Sequence, residues 1–202
     1  MSDGTRITRR RLLRDSTAAG AGIALGRHGV VVPVIQASSG VEAPRPSGKN
    51  LYWGDIHNHN AVGYAQGSLE RSYDIARSHL DFFCFTGHSQ WHDMPIMPQD
   101  KHLKWVHGFE AMKNNWPQVK LLADKYNEPG KFVSFIGYEW HSSAYGDVCI
   151  IFPGSQAELE IIKGIKEFQE FARRHSAILI PHHPSYKQGW RGQNWSVLDP
   201  SV

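Results

Sequence analysis

Long apolar runs are missing from this chain: no stretch of its 202 residues approaches the roughly 18 consecutive apolar residues that a membrane-crossing helix needs. A membrane span is therefore not expected. Cysteine is scarce, and the two present, Cys84 and Cys149, each sit inside an apolar run of strand character. That placement predicts buried structural thiols rather than a redox pair or thiolate metal ligands. Internal repeats and low-complexity segments are absent too, and so is any basic run beyond the N-terminus. Six arginines against two aspartates put +4 into the first 37 residues, which leaves 16 basic and 17 acidic side chains, or −1, for the rest. Without clustered Lys and Arg to neutralise phosphates, a dedicated nucleic-acid grip is not expected, and a small-molecule substrate, uncharged to anionic, fits better. What the chain does have is 41% hydrophobic residues and 11% aromatics, ample for the core of one ordinary domain with a short appendage.

The appendage reads as an address. Thr8-Arg9-Arg10-Arg11-Leu12-Leu13-Arg14 precedes a weakly apolar stretch from Ser16 to Gly26, and Ile35-Gln36-Ala37 closes the region. Paired arginines, a mild hydrophobic region and a terminal small residue, in that order, resemble a twin-arginine export signal over residues 1–37. The expected partner is the twin-arginine export machinery, and the expected location is periplasmic or secreted. An unstructured basic tail is the plainer alternative. Residues 38–49, rich in Ser, Gly and Pro, read as a linker.

From residue 50 to 202 the pattern alternates strands and helices. Strands are predicted at Leu51–His57, Asp81–Thr86, Phe132–Glu139, Val148–Phe152 and Ala177–Pro181. Helices are predicted at Leu69–His79 with Ser68 as N-cap, across His102–Tyr126 in two pieces divided at Pro117, and at Ala157–Arg174. This order implies an α/β fold with a largely parallel sheet, with one hairpin-like exception between Glu139 and Val148.

Histidine placement carries the functional reading. Of twelve histidines, His57, His59, His88, His141, His182 and His183 fall at or just after the C-terminal end of a predicted strand, and Glu139 does the same. In α/β barrels that edge collects loops from several strands into one site. His57-Asn58-His59 in an extended chain would present both imidazoles on one face, about 7 Å apart at their Cα atoms. Glu139 ends the apolar run Phe135-Ile136-Gly137-Tyr138, where a carboxylate is costly to bury without a cation or donors. Adjacent His182 and His183 would point opposite ways in a strand, so one is expected to be a ligand and the other to orient it or relay protons. Trp91, Trp140, Trp190 and Trp195 follow these motifs closely, with pocket lining and ordinary rim packing both open to them.

Gly54-Asp55-Ile56-His57-Asn58-His59, Leu80 through His88, Gly137-Tyr138-Glu139-Trp140 and Pro181-His182-His183-Pro184, in that order, resemble the polymerase and histidinol phosphatase (PHP) superfamily over about residues 50–202. The resemblance implies a distorted seven-stranded (β/α) barrel that hydrolyses phosphoesters with divalent Zn, Mn or Fe, two ions being expected here. It implies His57 and His59 on one ion, Glu139 bridging two, His183 on the second and His88 toward a third. Asp55 and His182 are expected just behind the ligands. Gly87 stands where the family usually has Asp, Ala65 and Gln66 where it has a histidine or aspartate, and Gly146-Asp147 where it often has Gly-His. Asp147 or His141 is therefore expected to supply a missing ligand. The family's closing Asp-x-His is also absent, so a barrel of about five strands lacking its C-terminal part is expected. No protein nucleophile is needed, because water activated by metal attacks. Two alternatives share the same residues: a metal-dependent amidase or lactonase on a related barrel, and a non-catalytic metal or ligand binder.

Overall fold

The computed structural model describes residues 50–201, so the twin-arginine-like segment and the whole of the linker lie outside the described residues. In chain order the elements are β1 (Gly54–Asp55), α1 (Leu69–Arg77), β2 (Phe82–Phe85), β3 (His88–Trp91), a 3-10 turn at Pro98–Asp100, α2 (Leu103–Tyr126), β4 (Val133–His141), β5 (Val148–Phe152), α3 (Ile165–Arg174) and β6 (Ile178–Pro181). They form a mixed α/β unit with one curled, half-barrel sheet and three helices. The sheet order is β1-β2-β4-β5-β6, with β3 also paired to β4.

β4 organises the sheet. It runs parallel to β2 along its first half and parallel to β3 along its second, with Phe85 opposite Ile136 and His88 opposite Glu139. The register is therefore continuous across Thr86-Gly87, and β2 and β3 act as one interrupted strand that slips only between His88 and Gln90. β5 is antiparallel to both β4 and β6, as the short connection after Glu139 predicts. Consequently β5 alone is reversed, and β6 runs the same way as β1 through β4.

Alternation assigns the two faces. Ile136, Tyr138 and Trp140 of β4, with Val148, Ile150 and Phe152 of β5, join the large core formed with Tyr73, Met112, Val119, Phe168 and Phe171 of the helices. Val133, Phe135, Cys84 and Ile151 lie in a second, smaller cluster on the other face. Period-two geometry then puts Glu139, His141 and Cys149 on that second face, and the first turns of α2 reach His141, with the Trp105 and Phe109 ring centroids 5.6 and 6.2 Å away.

Three expectations need correction. Pro117 does not divide His102–Tyr126; α2 is one helix with Pro117 inside it. Met112, Trp116, Val119, Leu122 and Ala123 are buried on either side of the proline, and their packing holds the helix through the lost hydrogen bond. The helix expected from Ala157 begins only at Ile165, behind Gly164, while Ala157 and Ile162 pack against the core without helix. The segment at His88–Trp91, given no element from sequence, is strand, because its polar sequence His-Ser-Gln-Trp hides the pattern while β4 supplies the ladder. The first helix begins as expected: Ser68 Oγ accepts from Arg71 N–H at 3.1 Å.

Candidate metal centre

The strand ends deliver the site. After β1 the chain turns at Asp55, whose Oδ1 accepts from His57 N–H at 2.9 Å, and Asn58 Nδ2 donates to Cys84 O at 3.1 Å. This ties the His57–His59 loop to the end of β2. His88 opens β3 directly opposite Glu139, and His141 ends β4. Asp147 precedes a reversed strand, so the start of β5 lies at the same edge as the ends of its neighbours. Asp147 O accepts from His182 N–H at 2.8 Å, and Asp147 N–H donates to Arg191 O at 3.3 Å, which draws in both ends of the loop after β6. Gly146, at φ +96°, makes this possible, since a Cβ there would lie 2.6 Å from Gln193 Cα.

Glu139 is fully buried at the centre. Its Oε2 lies 3.0 Å from His88 Nδ1, 3.5 Å from His59 Nε2 and 3.9 Å from His57 Nε2. Its Oε1 lies 3.6 Å from His182 Nε2, and 3.7 Å from both His141 Nδ1 and Arg191 Nη2. Asp147 is 3.1 Å from His141 Nδ1 and 3.7 Å from His183 Nε2, and accepts from Arg191 Nε at 2.6 Å. His57 and His59 face each other at 3.1 Å between Nε2 atoms, and His88 Nδ1 is in close contact with His141 Nε2. All the candidate ligands His57, His59, His88, Glu139, Asp147 and His183 thus converge, together with His141 and His182. Asp55 instead serves the backbone of the His57 loop.

Sequence reasoning left His182 and His183 on opposite faces, but both reach the cluster, their ring centroids 3.7 Å apart. His183 adopts φ +50°, and this left-handed turn swings the second ring back to the side of the first. Arg191 was missed altogether, as nothing in its loop sequence marks it. Cys149 is buried and free, as expected, yet its sulfur stands 3.2 Å from His57 Nδ1, which also meets Thr86 Oγ1 at 3.0 Å. Of the tryptophans, Trp140 goes to the helix face and stacks on Phe168, and Trp195 lines a separate cavity of about 510 Å³ with Leu179 and Leu198. Trp91 and Trp190 stay beside the histidines, with Trp91 stacked over His141.

Electrostatics decide what the cluster can hold. Burial is the main influence on His57, His88 and His183, and lowers their pKa values to about 4, about 3 and about 4. Burial lowers His59 and His182 as well. These imidazoles are neutral at pH 7 and offer lone pairs. Burial opposes ionisation of Glu139, yet the surrounding His141, His88 and His57 hold its carboxyl well below the usual range. Both oxygens of Glu139, Asp147 Oδ1, His59 Nδ1, His88 Nε2, His141 Nδ1 and His183 Nε2 are buried without an aligned hydrogen bond. Leaving such atoms unmet costs about 1–3 kcal/mol each, more for a charge. One guanidinium cannot reach them all. Neutral imidazoles around an ionised carboxylate are the donor set that a divalent cation satisfies.

Three triads, His57/His59/Glu139, His88/Glu139/His141 and Glu139/His182/His183, each bring their ligand atoms within 4.8 Å of one another. His57, Cys149 and His182 do the same. Glu139 belongs to three of the four groups and Asp147 to none. Gripped by Arg191 and set against His141, Asp147 is placed to orient a ligand.

These features define the chain as a curled α/β half-barrel carrying a buried His/Glu cluster able to hold a metal ion. A family model described as a protein of unknown function, DUF3604, matches residues 84–149, which take in His88, Glu139, His141 and Asp147. No curated protein matches the chain.

Proposed function

We propose that the chain is a metal-dependent hydrolase of PHP type that acts on phosphoesters with metal-activated water. The observation that carries this reading is Glu139, whose two buried, unmatched oxygens are ringed by neutral imidazoles. The triads sharing Glu139 support a metal centre; two ions of Zn, Mn or Fe, which suit imidazole and carboxylate donors, are the reading proposed for it. Bound there, the ions would supply Lewis acidity, lowering the pKa of water from about 15.7 toward about 7. The chain's own groups do the rest. Arg191, 3.7 Å from Glu139, offers a cation at the same centre for an anionic ester. His182 Nε2, if not engaged as a ligand, can carry a proton to the leaving oxygen. The serines after the motifs are given no role. Ser142 Oγ donates to Asp93 Oδ2 at 2.9 Å, and Ser89 Oγ donates to Glu139 O at the same distance.

The test is the full chain with Mn or Zn on a panel of phosphomonoesters, phosphodiesters, amides and lactones. Turnover of phosphoesters that chelation abolishes is expected. Turnover of amides or lactones alone would move the assignment to a related barrel hydrolase, and metal binding without any turnover would make the chain a binder. Export to the periplasm or medium is proposed on the arginine pair alone. Replacing Arg9 and Arg10 with lysines should hold a reporter fusion in the cytoplasm, and unchanged export would refute it.

A further inference from the structure

Among the described residues, Trp53, Tyr64, Tyr186, Trp190 and Trp195 are aromatic side chains left well exposed. Two of these lie on histidines of the cluster, and a third lies on Trp91, which itself stacks over His141. Tyr64, 44% exposed, lies flat against His88, with ring centroids 4.7 Å apart and 9° between planes. Tyr186, 51% exposed, meets His183 at 4.5 Å in a T-shaped contact. Trp190, 41% exposed, packs edge-on against Trp91 at 5.8 Å. Tyr64 comes from the loop after β1, and the other two from the loop after β6. Rings serving only the fold would be expected inside it; apolar surface held in water around one centre marks a contact for something else.

Two cations share this rim. The Arg191 guanidinium lies 5.2 Å from the Trp105 ring and 5.9 Å from the Tyr186 ring. Lys104 Nζ lies 5.6 Å from the Tyr64 ring and 5.8 Å from the Trp105 ring. A rim of aromatic faces and cations around a buried ligand cluster suits a molecule that is planar and apolar at one end and anionic at the other.

We propose that the site takes aryl esters of an anionic acid, with Tyr64, Tyr186 and Trp190 as a collar for the ring and Arg191 and Lys104 facing the anion. This rests on the hydrolase reading and extends it to the substrate's organic group. For an aryl phosphate, the water oxygen bonds to phosphorus as the P–O(aryl) bond breaks. One water proton ends on the phenol, and inorganic phosphate leaves.

The experiment titrates the metal-loaded full chain with phenylphosphonate and methylphosphonate, read by tryptophan fluorescence and calorimetry, and assays phenyl phosphate and glycerol 3-phosphate in parallel. Phenylphosphonate should bind about tenfold tighter. That ratio should shrink at least threefold in Trp190→Ala and in Tyr186→Ala, and Trp190→Phe should restore it. Equal binding, no binding by either phosphonate, or a ratio untouched in both alanine variants overturns the collar. Aryl-selective binding without turnover of either ester leaves the collar standing and removes the phosphoesterase reading. Turnover of both esters without selective binding does the reverse.

Discussion

At the residue scale, Glu139 Oε2 is shared by His57, His59 and His88, while Oε1 faces His141, His182 and Arg191. One carboxylate therefore serves both halves of the cluster, whereas the Asp147 carboxylate lies beside His141, His183 and Arg191. Glu139→Gln should abolish metal retention, and Asp147→Asn should weaken metal affinity by roughly 10- to 100-fold, as expected for a group that orients a ligand. Calorimetric titration of Zn into both variants reads the difference; equal losses would make Asp147 a direct ligand. The same histidines set a pH dependence. Their folded pKa values, about 3 to 4 for His57, His88 and His183, lie below the ordinary value of 6.5. Between those limits the unfolded chain binds more protons than the folded one. Stability of the metal-free protein is then greatest above about pH 6.5 and lost as pH falls toward 4. Urea midpoints should drop steadily from pH 7 to pH 4.5, and a flat profile would contradict neutral buried imidazoles.

At the scale of elements, the legible part was the strand ends. Apolar runs stopping before His57 and His182 showed where the chain leaves the sheet, and the short link after Glu139 showed that β5 turns back, whereas His88 opens β3 and Glu139 lies inside β4, two residues short of its end. The illegible part depended on contacts distant in sequence. β3 is strand only because β4 lies beside it, α2 survives Pro117 only because it is packed, and Arg191 enters only because Asp147 draws in its loop. His183 reaches the cluster by a backbone angle that residue type does not announce. Gly87 shows how packing alters what a resemblance implies. A Cβ there would lie 2.5 Å from the buried ring of Phe85 and 3.2 Å from Met112 Sδ. Introducing an acid there with Gly87→Asp should therefore destabilise the fold by about 1–3 kcal/mol rather than add a ligand. Chemical denaturation with and without Zn checks this; an unchanged midpoint together with a gain of bound metal would show that the acid fits.

At the scale of the whole molecule, the sheet separates its two tasks. One face is filled mainly by the three helices, and the other carries the polar cluster at the edge where β1, β2, β4 and β6 end and β3 and β5 begin, with Trp105 and Phe109 of α2 packed against its histidines. β1 and β6 are the sheet's outer strands among the described residues. Because the ligands come from strands far apart in sequence, metal binding and folding are coupled. At a free metal concentration of 100 times Kd the folded state gains about 2.7 kcal/mol, so Tm should rise by roughly 5–10 °C with Zn or Mn and return to baseline after chelation. The central claim is that this cluster is a metal centre. Elemental analysis of the full chain, produced with Zn or Mn and dialysed against metal-free buffer, tests it most directly: at least one ion per chain should remain, and retention of much less than one would contradict the account.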